Sequence, residues 1–166
     1  MDSSLAQRVG QRLRERDQTL ALAESCTGGL LASTLTDVPG SSDYFDRSMV
    51  TYSNAAKQEL LGVSRESLDT HGAVSEPVAV EMAAGARDTA STTWGVSTTG
   101  IAGPGGGTDE KPVGTVCIGV AYAGPWGSDT STAEAERYEF DGDRAACKAQ
   151  FVDQALSDLL SALETR

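Results

Sequence analysis

Residues 19–35 read Thr-Leu-Ala-Leu-Ala-Glu-Ser-Cys-Thr-Gly-Gly-Leu-Leu-Ala-Ser-Thr-Leu, and the class of fold turns on them. Thr19 to Ala23 is short and mostly apolar, as a buried strand is. Ser25 to Gly29 supplies turn chemistry, and Leu30 to Leu35 resumes an apolar, helix-like pattern. A strand, a tight turn and a helix in that order open an α/β layer structure. The turn also has chemical content: a hydroxyl at a strand end, just before a helix, lies beside unpaired backbone N–H groups and the positive end of the helix dipole.

Outward from this stretch the same alternation continues. Leu5, Val9 and Leu13 fall at helical spacing between about Ser4 and Arg16. Beyond a loop at Pro39–Ser42, Met49 to Ser53 reads as a second strand, and Asn54 as the cap of a helix from Ala55 to Leu61 that stops at Gly62. Ser64 and Ser75 each cap a further helix, the second with Pro77 in its first turn and extending to about Ala90. Trp94–Thr99 reads as a third strand. Gly100 to Pro112, with glycines at 100, 103, 105, 106 and 107, is expected to be a loop outside the core. Gly114–Ala123 and Ala133–Phe140 read as two more strands forming an antiparallel pair. Asp143 then caps a helix to about Leu163, with Phe151, Ala155, Leu159 and Leu163 on one face. The predicted fold is a three-layer α/β/α sandwich with a mixed, mostly parallel sheet and an antiparallel edge, as one compact domain over residues 1–166.

Composition narrows the function. Lys and Arg number 13 against 24 Asp and Glu, a formal net charge of -11, which argues against a nucleic-acid partner because such surfaces need basic stripes. Three cysteines, Cys26, Cys117 and Cys147, lack CxxC spacing, and His71 is the one histidine. A disulfide framework, structural zinc and a catalytic His-rich zinc site are therefore not expected, and no metal or cofactor is assigned. The stretch from Met1 through Ser4 lacks the apolar core of a secretory signal, and no run is long enough to span a membrane. A cytoplasmic protein without a membrane partner is expected.

Four groups of residues could carry chemistry. Ser25 reads either as a nucleophile or, with Thr27, as an ordinary cap beside Gly28 and Gly29. Cys26 is the stronger intrinsic nucleophile, but strand alternation puts it opposite Ser25, and nothing places His71 nearby as its base. Lys57, in the first turn after Asn54, has its charged form disfavoured by the dipole, so it could serve as a base with Tyr52 relaying a proton or fixing it; a solvated lysine and a packed tyrosine are the plain alternative. Thr98 to Gly103, at the third strand's carboxyl end, is where α/β sheets bind ligands, unless the glycine loop is only a lid or turn. Arg144, after Gly142 and Asp143, suits a monophosphate at a helix start, with Arg47 and Lys111 as weaker candidates.

Taken together, these segments resemble the C-terminal domain family of the competence-associated protein CinA, whose stand-alone members are nicotinamide mononucleotide deamidases of the PncC type. The resemblance runs along nearly the whole chain. It is carried by Ala23–Gly29, by Thr51-Tyr52-Ser53-Asn54 with Lys57, by His71-Gly72-Ala73-Val74-Ser75, and by Gly100-Ile101-Ala102-Gly103-Pro104 with Lys111-Pro112-Val113-Gly114-Thr115. It implies an amidohydrolase that converts nicotinamide mononucleotide to nicotinic acid mononucleotide and ammonia in NAD salvage. Ser25 is then the nucleophile, with Tyr52 and Lys57 its activating pair. Thr27, Gly28, Gly29, Thr99, Gly100, Gly103 and Arg144 are the expected substrate-binding residues. The resemblance does not include the nucleotide-hydrolysing N-terminal domain of full-length CinA, so that activity is not carried over. A catalytically silent nucleotide-binding module and a thiol hydrolase using Cys26 are the alternatives. Small α/β domains often pair, so a homo-oligomer stays open. Two positions depart from the family pattern: Gly105 stands where Asp is common and Ser48 where Gly is usual.

Overall fold

A computed structural model describes residues 3–166; the reading that began at Met1 lies partly outside the described residues. Along the chain come α1 (Ser3–Glu15), β1 (Leu20–Glu24), α2 (Leu30–Thr36), a 3-10 turn (Ser41–Asp43), β2 (Phe45–Val50), α3 (Asn54–Leu61), α4 (Arg65–His71), α5 (Glu76–Ala90), β3 (Trp94–Gly100), β4 (Thr115–Tyr122), β5 (Thr132–Glu139) and α6 (Arg144–Glu164). The five strands form one sheet in the order β2-β1-β3-β4-β5. β1 pairs parallel with β2 and β3, whereas β4 is antiparallel to both of its neighbours. Four strands therefore run one way, and the reversed strand lies inside the sheet rather than at its edge. The α/β fold with a mixed sheet is as the sequence predicts.

α1, α2 and α6 cover one face and α3, α4 and α5 the other. On the first face Val9, Leu13, Phe151, Ala155, Leu159 and Leu163 are buried, as their helical spacing requires. Each large one contributes about 1.5–3 kcal/mol by leaving water. On the second face α5 approaches unusually closely. A Cβ at Gly95 would lie 2.1 Å from the Ala83 carbonyl oxygen, and one at Gly119 2.4 Å from that of Ala79, so only glycine fits under this Ala-rich helix.

Two sequence expectations need correction. β2 occupies Phe45–Val50, not Met49–Ser53. It is an edge strand, where polar Asp46, Arg47 and Ser48 are tolerated, so its apolar signal is weak. The α3 cap is Ser53, whose Oγ accepts the Ala56 N–H at 3.0 Å, and Asn54 is already helical. Ser64, Ser75 and Asp143 cap their helices as read. The glycine loop contributes one core residue after all, Ala102.

The topology fixes where a ligand can bind. From β1 the chain crosses through α2 on one face to β2, then returns through α3–α5 on the other face to β3. Between β1 and β3 the direction of winding reverses, and the crevice beyond their carboxyl ends is the preferred ligand position in such sheets.

Candidate active site at the carboxyl ends of β1, β2 and β3

β1 ends at Glu24, and the next five residues form the turn into α2. Gly28 and Gly29 have φ of 55° and 101°, a conformation that a side chain would strain. Gly29 stands at the cap position and has no side chain to cap with. The capping group comes instead from the strand: the Glu24 carboxylate, wholly buried, accepts the N–H groups of Gly29 (3.2 Å), Leu31 (2.9 Å) and Ala32 (3.2 Å). It also accepts the hydroxyls of Thr27 and Ser48, each at 2.7 Å. A buried carboxylate is costly unless it is fully hydrogen-bonded, and here five donors and the positive helix end meet it.

This corrects part of the sequence reading. Thr27, Gly28 and Gly29 are expected to bind substrate, but the Gly29, Leu31 and Ala32 N–H groups at the α2 start are taken by the chain's own Glu24. Thr27 is fully buried, with its hydroxyl shared between Glu24 and Thr98 (2.8 Å), so its side chain does not line a ligand site. The Gly28 N–H reaches back to the Ser25 carbonyl at 3.2 Å.

Ser25 and Lys57, 32 residues apart, meet here. Lys57 Nζ lies 3.1 Å from Ser25 Oγ and donates to the Thr51 carbonyl at 2.9 Å. Lys57 is only 1% exposed, and burial pushes its pKa below the usual value. A charged Cys26 would push the other way. That thiol is itself buried, with its pKa raised to about 12, so it is uncharged at neutral pH and burial decides. A desolvated amine beside a hydroxyl can accept its proton.

Tyr52 does not touch this pair by any hydrogen bond; its phenol accepts from Arg144 Nη2 at 3.1 Å. Arg144 also donates to the Gly103 carbonyl at 2.6 Å. Cys26, Tyr52, Gly103 and Arg144, with Gly100–Ala102 and Gly105–Gly106, enclose a cleft of about 220 Å³. Half-buried Ser25 precedes the wall residue Cys26 but does not itself line the cleft, and neither does buried Lys57, which contacts Ser25. The structure thus places Tyr52 with the arginine rather than with the lysine, and it puts Cys26 on the cleft wall, since strand alternation ends at Glu24.

The glycine loop is pinned rather than free. Gly114 N–H bonds to the Ile101 carbonyl (2.7 Å), and Lys111 Nζ to the His71 carbonyl (2.7 Å). Thr99 spends its hydroxyl on the Ala73 carbonyl (2.8 Å), so it orients the loop instead of offering that group to a ligand. Gly105 lines the cleft, with no atom within 4 Å of where a Cβ would be. Arg47 sits within β2 against Asp46, and exposed His71 at the end of α4; neither lines the cleft. Among the described residues no group of three or more His, Cys, Asp or Glu could hold a metal, and no helix is long and apolar enough to cross a membrane.

Comparison with known proteins agrees with this architecture. Residues 2–163 match the CinA C-terminal domain. A CinA-like protein of Chlorobaculum tepidum is 55% identical over 161 residues, 97% of this chain but 38% of the relative, and one from Salinibacter ruber is 51% identical over 157 residues, 95% of this chain and 36% of the relative. The chain thus spans well under half of these relatives. Among solved structures, a CinA superfamily protein from Klebsiella pneumoniae superposes with a TM-score of 0.91 at 35% identity, covering 100% of both chains. The competence/damage inducible protein CihA of Agrobacterium tumefaciens gives 0.89 at 39% identity, covering 98% of this chain and 94% of that one.

Proposed function

The chain belongs to the CinA C-terminal domain family, and on that premise we propose that it is a cytoplasmic amidohydrolase that hydrolyses the amide of nicotinamide mononucleotide, a step of pyridine nucleotide salvage, with Ser25 as nucleophile. The observation that carries this reading is the Lys57 Nζ–Ser25 Oγ contact of 3.1 Å, made by a buried lysine whose pKa burial lowers.

In the first step the Lys57 amine takes the Ser25 proton as Oγ bonds to the amide carbon. Backbone N–H groups of the turn that follows Ser25, where Cys26 lies on the cleft wall, are the donors assigned to the oxyanion. The C–N bond then breaks, the leaving nitrogen takes the proton from the Lys57 ammonium, and ammonia departs. Water attacks the acyl ester with Lys57 again as base, giving the carboxylate product and free Ser25. Arg144, at the start of α6 and held by Gly103 and Tyr52, offers a guanidinium and a helix end to the phosphate. The positively charged pyridinium withdraws electrons from the carbonyl and assists both additions.

Purified protein given nicotinamide mononucleotide is expected to release ammonia, and Ser25→Ala and Lys57→Ala are expected to release almost none. Nucleotide binding without ammonia would replace this reading with a silent binding module. Undiminished turnover by Ser25→Ala, lost in Cys26→Ala, would replace it with a thiol hydrolase.

A further inference from the structure

Glu24 is a buried carboxylate next to the nucleophile that the mechanism above does not use. It joins three parts of the site. Through Gly29, Leu31 and Ala32 it replaces the cap that α2 lacks; through Thr27 and Thr98 it ties the turn to β3; through Ser48 it ties the turn to β2. β2 leads directly to Thr51, whose carbonyl holds Lys57. The Ser25 turn and the Lys57 support therefore meet at one carboxylate.

We propose that Glu24 is the positioning residue of the nucleophile turn, setting the Ser25–Lys57 approach, and that Ser48 is the strut that transmits its hold to β2. The physical argument is geometric. The Ser25 backbone is fixed on one side by its N–H bond to the Thr98 carbonyl (3.0 Å). Beyond Ser25, two glycines leave the turn with no intrinsic conformation of its own. Two local bonds, Gly28 N–H to the Ser25 carbonyl (3.2 Å) and Leu30 N–H to the Thr27 carbonyl (2.9 Å), close the turn, and the convergence of three backbone N–H groups and two hydroxyls on Glu24 anchors it to β2 and β3, and so sets the direction of Ser25 Oγ. The same carboxylate occupies the N–H groups at the start of α2, so that helix end is not free to hold a phosphate, and the guanidinium of Arg144 is. The site is thereby polarised: a neutral acyl group at Ser25, an anionic group at Arg144. A group that positions the nucleophile changes kcat and leaves substrate binding at Arg144 largely intact.

This inference rests on Ser25 being the nucleophile, so the test reads Ser25 reactivity separately from turnover. Wild-type protein, Glu24→Gln, Ser48→Ala and Ser48→Thr are treated with an aromatic sulfonyl fluoride. Labelling of Ser25 is followed by mass spectrometry, beside kcat and KM for ammonia release and a melting curve. Glu24→Gln is expected to lower both kcat and the labelling rate about 100-fold with KM within about threefold, the signature of misplaced groups rather than lost binding. Ser48→Ala, which removes one bond to the carboxylate, is expected to lower both rates about fivefold, and Ser48→Thr, which keeps the hydroxyl, to restore them. A folded Glu24→Gln that labels and turns over at the wild-type rate overturns the proposal. If Glu24→Gln does not fold, Ser48→Ala decides, and wild-type rates there overturn it equally. Wild-type protein that neither labels at Ser25 nor releases ammonia would instead sink the nucleophile assignment itself.

Discussion

The hollow between α6 and β5 is roomier than the cleft beside Ser25, about 500 Å³ against about 220 Å³, yet the two differ most in what stands next to a hydroxyl. In the hollow, Tyr138 Oη lies 2.8 and 3.0 Å from the two Asp158 oxygens and 2.9 Å from Glu136 Oε2, so one proton faces two carboxylates. Burial and those carboxylates raise the Tyr138 pKa, and burial raises that of Asp158. In the cleft the Ser25 hydroxyl faces an amine that burial drives toward its neutral form. Desolvation acts in both places. Beside acids it locks a proton onto oxygen; beside an amine it creates a proton acceptor. Volume alone does not distinguish these two chemistries.

The largest expected effect separates the two regions outright. Lys57→Met is expected to reduce ammonia release by at least about 10³-fold, as loss of a general base does, whereas Asp158→Asn should leave kcat within about twofold because it touches none of the cleft residues. Comparable losses in both variants, measured at saturating substrate, would erase the distinction.

Next comes pH. Lys57 must be neutral to act, so kcat/KM should rise along a limb centred below the usual lysine value of 10.5 and vanish as pH falls through the depressed pKa. Stability follows with a definite sign. Between the folded and unfolded pKa of Lys57 the unfolded chain holds more protons, so the protein becomes more stable as pH rises through that window, and Lys57→Met should flatten that slope. A limb centred at or above the free-lysine value would break the claim.

At the other end of the cleft, Arg144→Ala should raise KM about tenfold with a smaller change in kcat, since it removes a phosphate contact made in both ground and transition states. A pure kcat effect would move Arg144 into the chemistry.

Cys26→Ala should keep turnover within about threefold while costing about 1 kcal/mol of stability from the lost packing. With the thiol pKa near 12, iodoacetamide should react with native protein far more slowly than with unfolded protein. Smallest is the groove itself. The raised Asp158 pKa means stability falls as pH rises from the usual carboxylate value of 3.8 through the folded one, so Asp158→Asn should lift the melting temperature by about 2 °C at neutral pH, an advantage lost in acid. A neutral-pH melting point below wild type would show that the carboxylate stabilises the groove.

Glu24 shows where sequence reading stops. It lies inside the stretch that decides the fold, and two local signals marked it: it is the lone charge closing an apolar strand, and it precedes a helix whose Gly-Gly start carries no capping side chain. Neither signal names its partners, because Ser48 and Thr98 come from strands that are neighbours only once the sheet has formed. Tyr52 illustrates the converse. Its place near the start of a helix was legible, although the reading put it in a strand before an Asn54 cap, but whether it faced Lys57 or Arg144 depended on α6, 92 residues further along the chain.

The sequence by itself determined the alternation of elements, three of the four helix caps, the turn at Gly28–Gly29 and the chemical types available at Ser25 and Lys57. All of these depend on hydrogen bonds and steric limits within a few residues. Strand order, the Glu24-to-Val50 register that brings Lys57 behind Ser25, the use of Glu24 as a remote cap and the polarity of the cleft were decided only in the tertiary structure. Those depend on which distant backbones pair, and on which buried charges can then find enough donors to leave water.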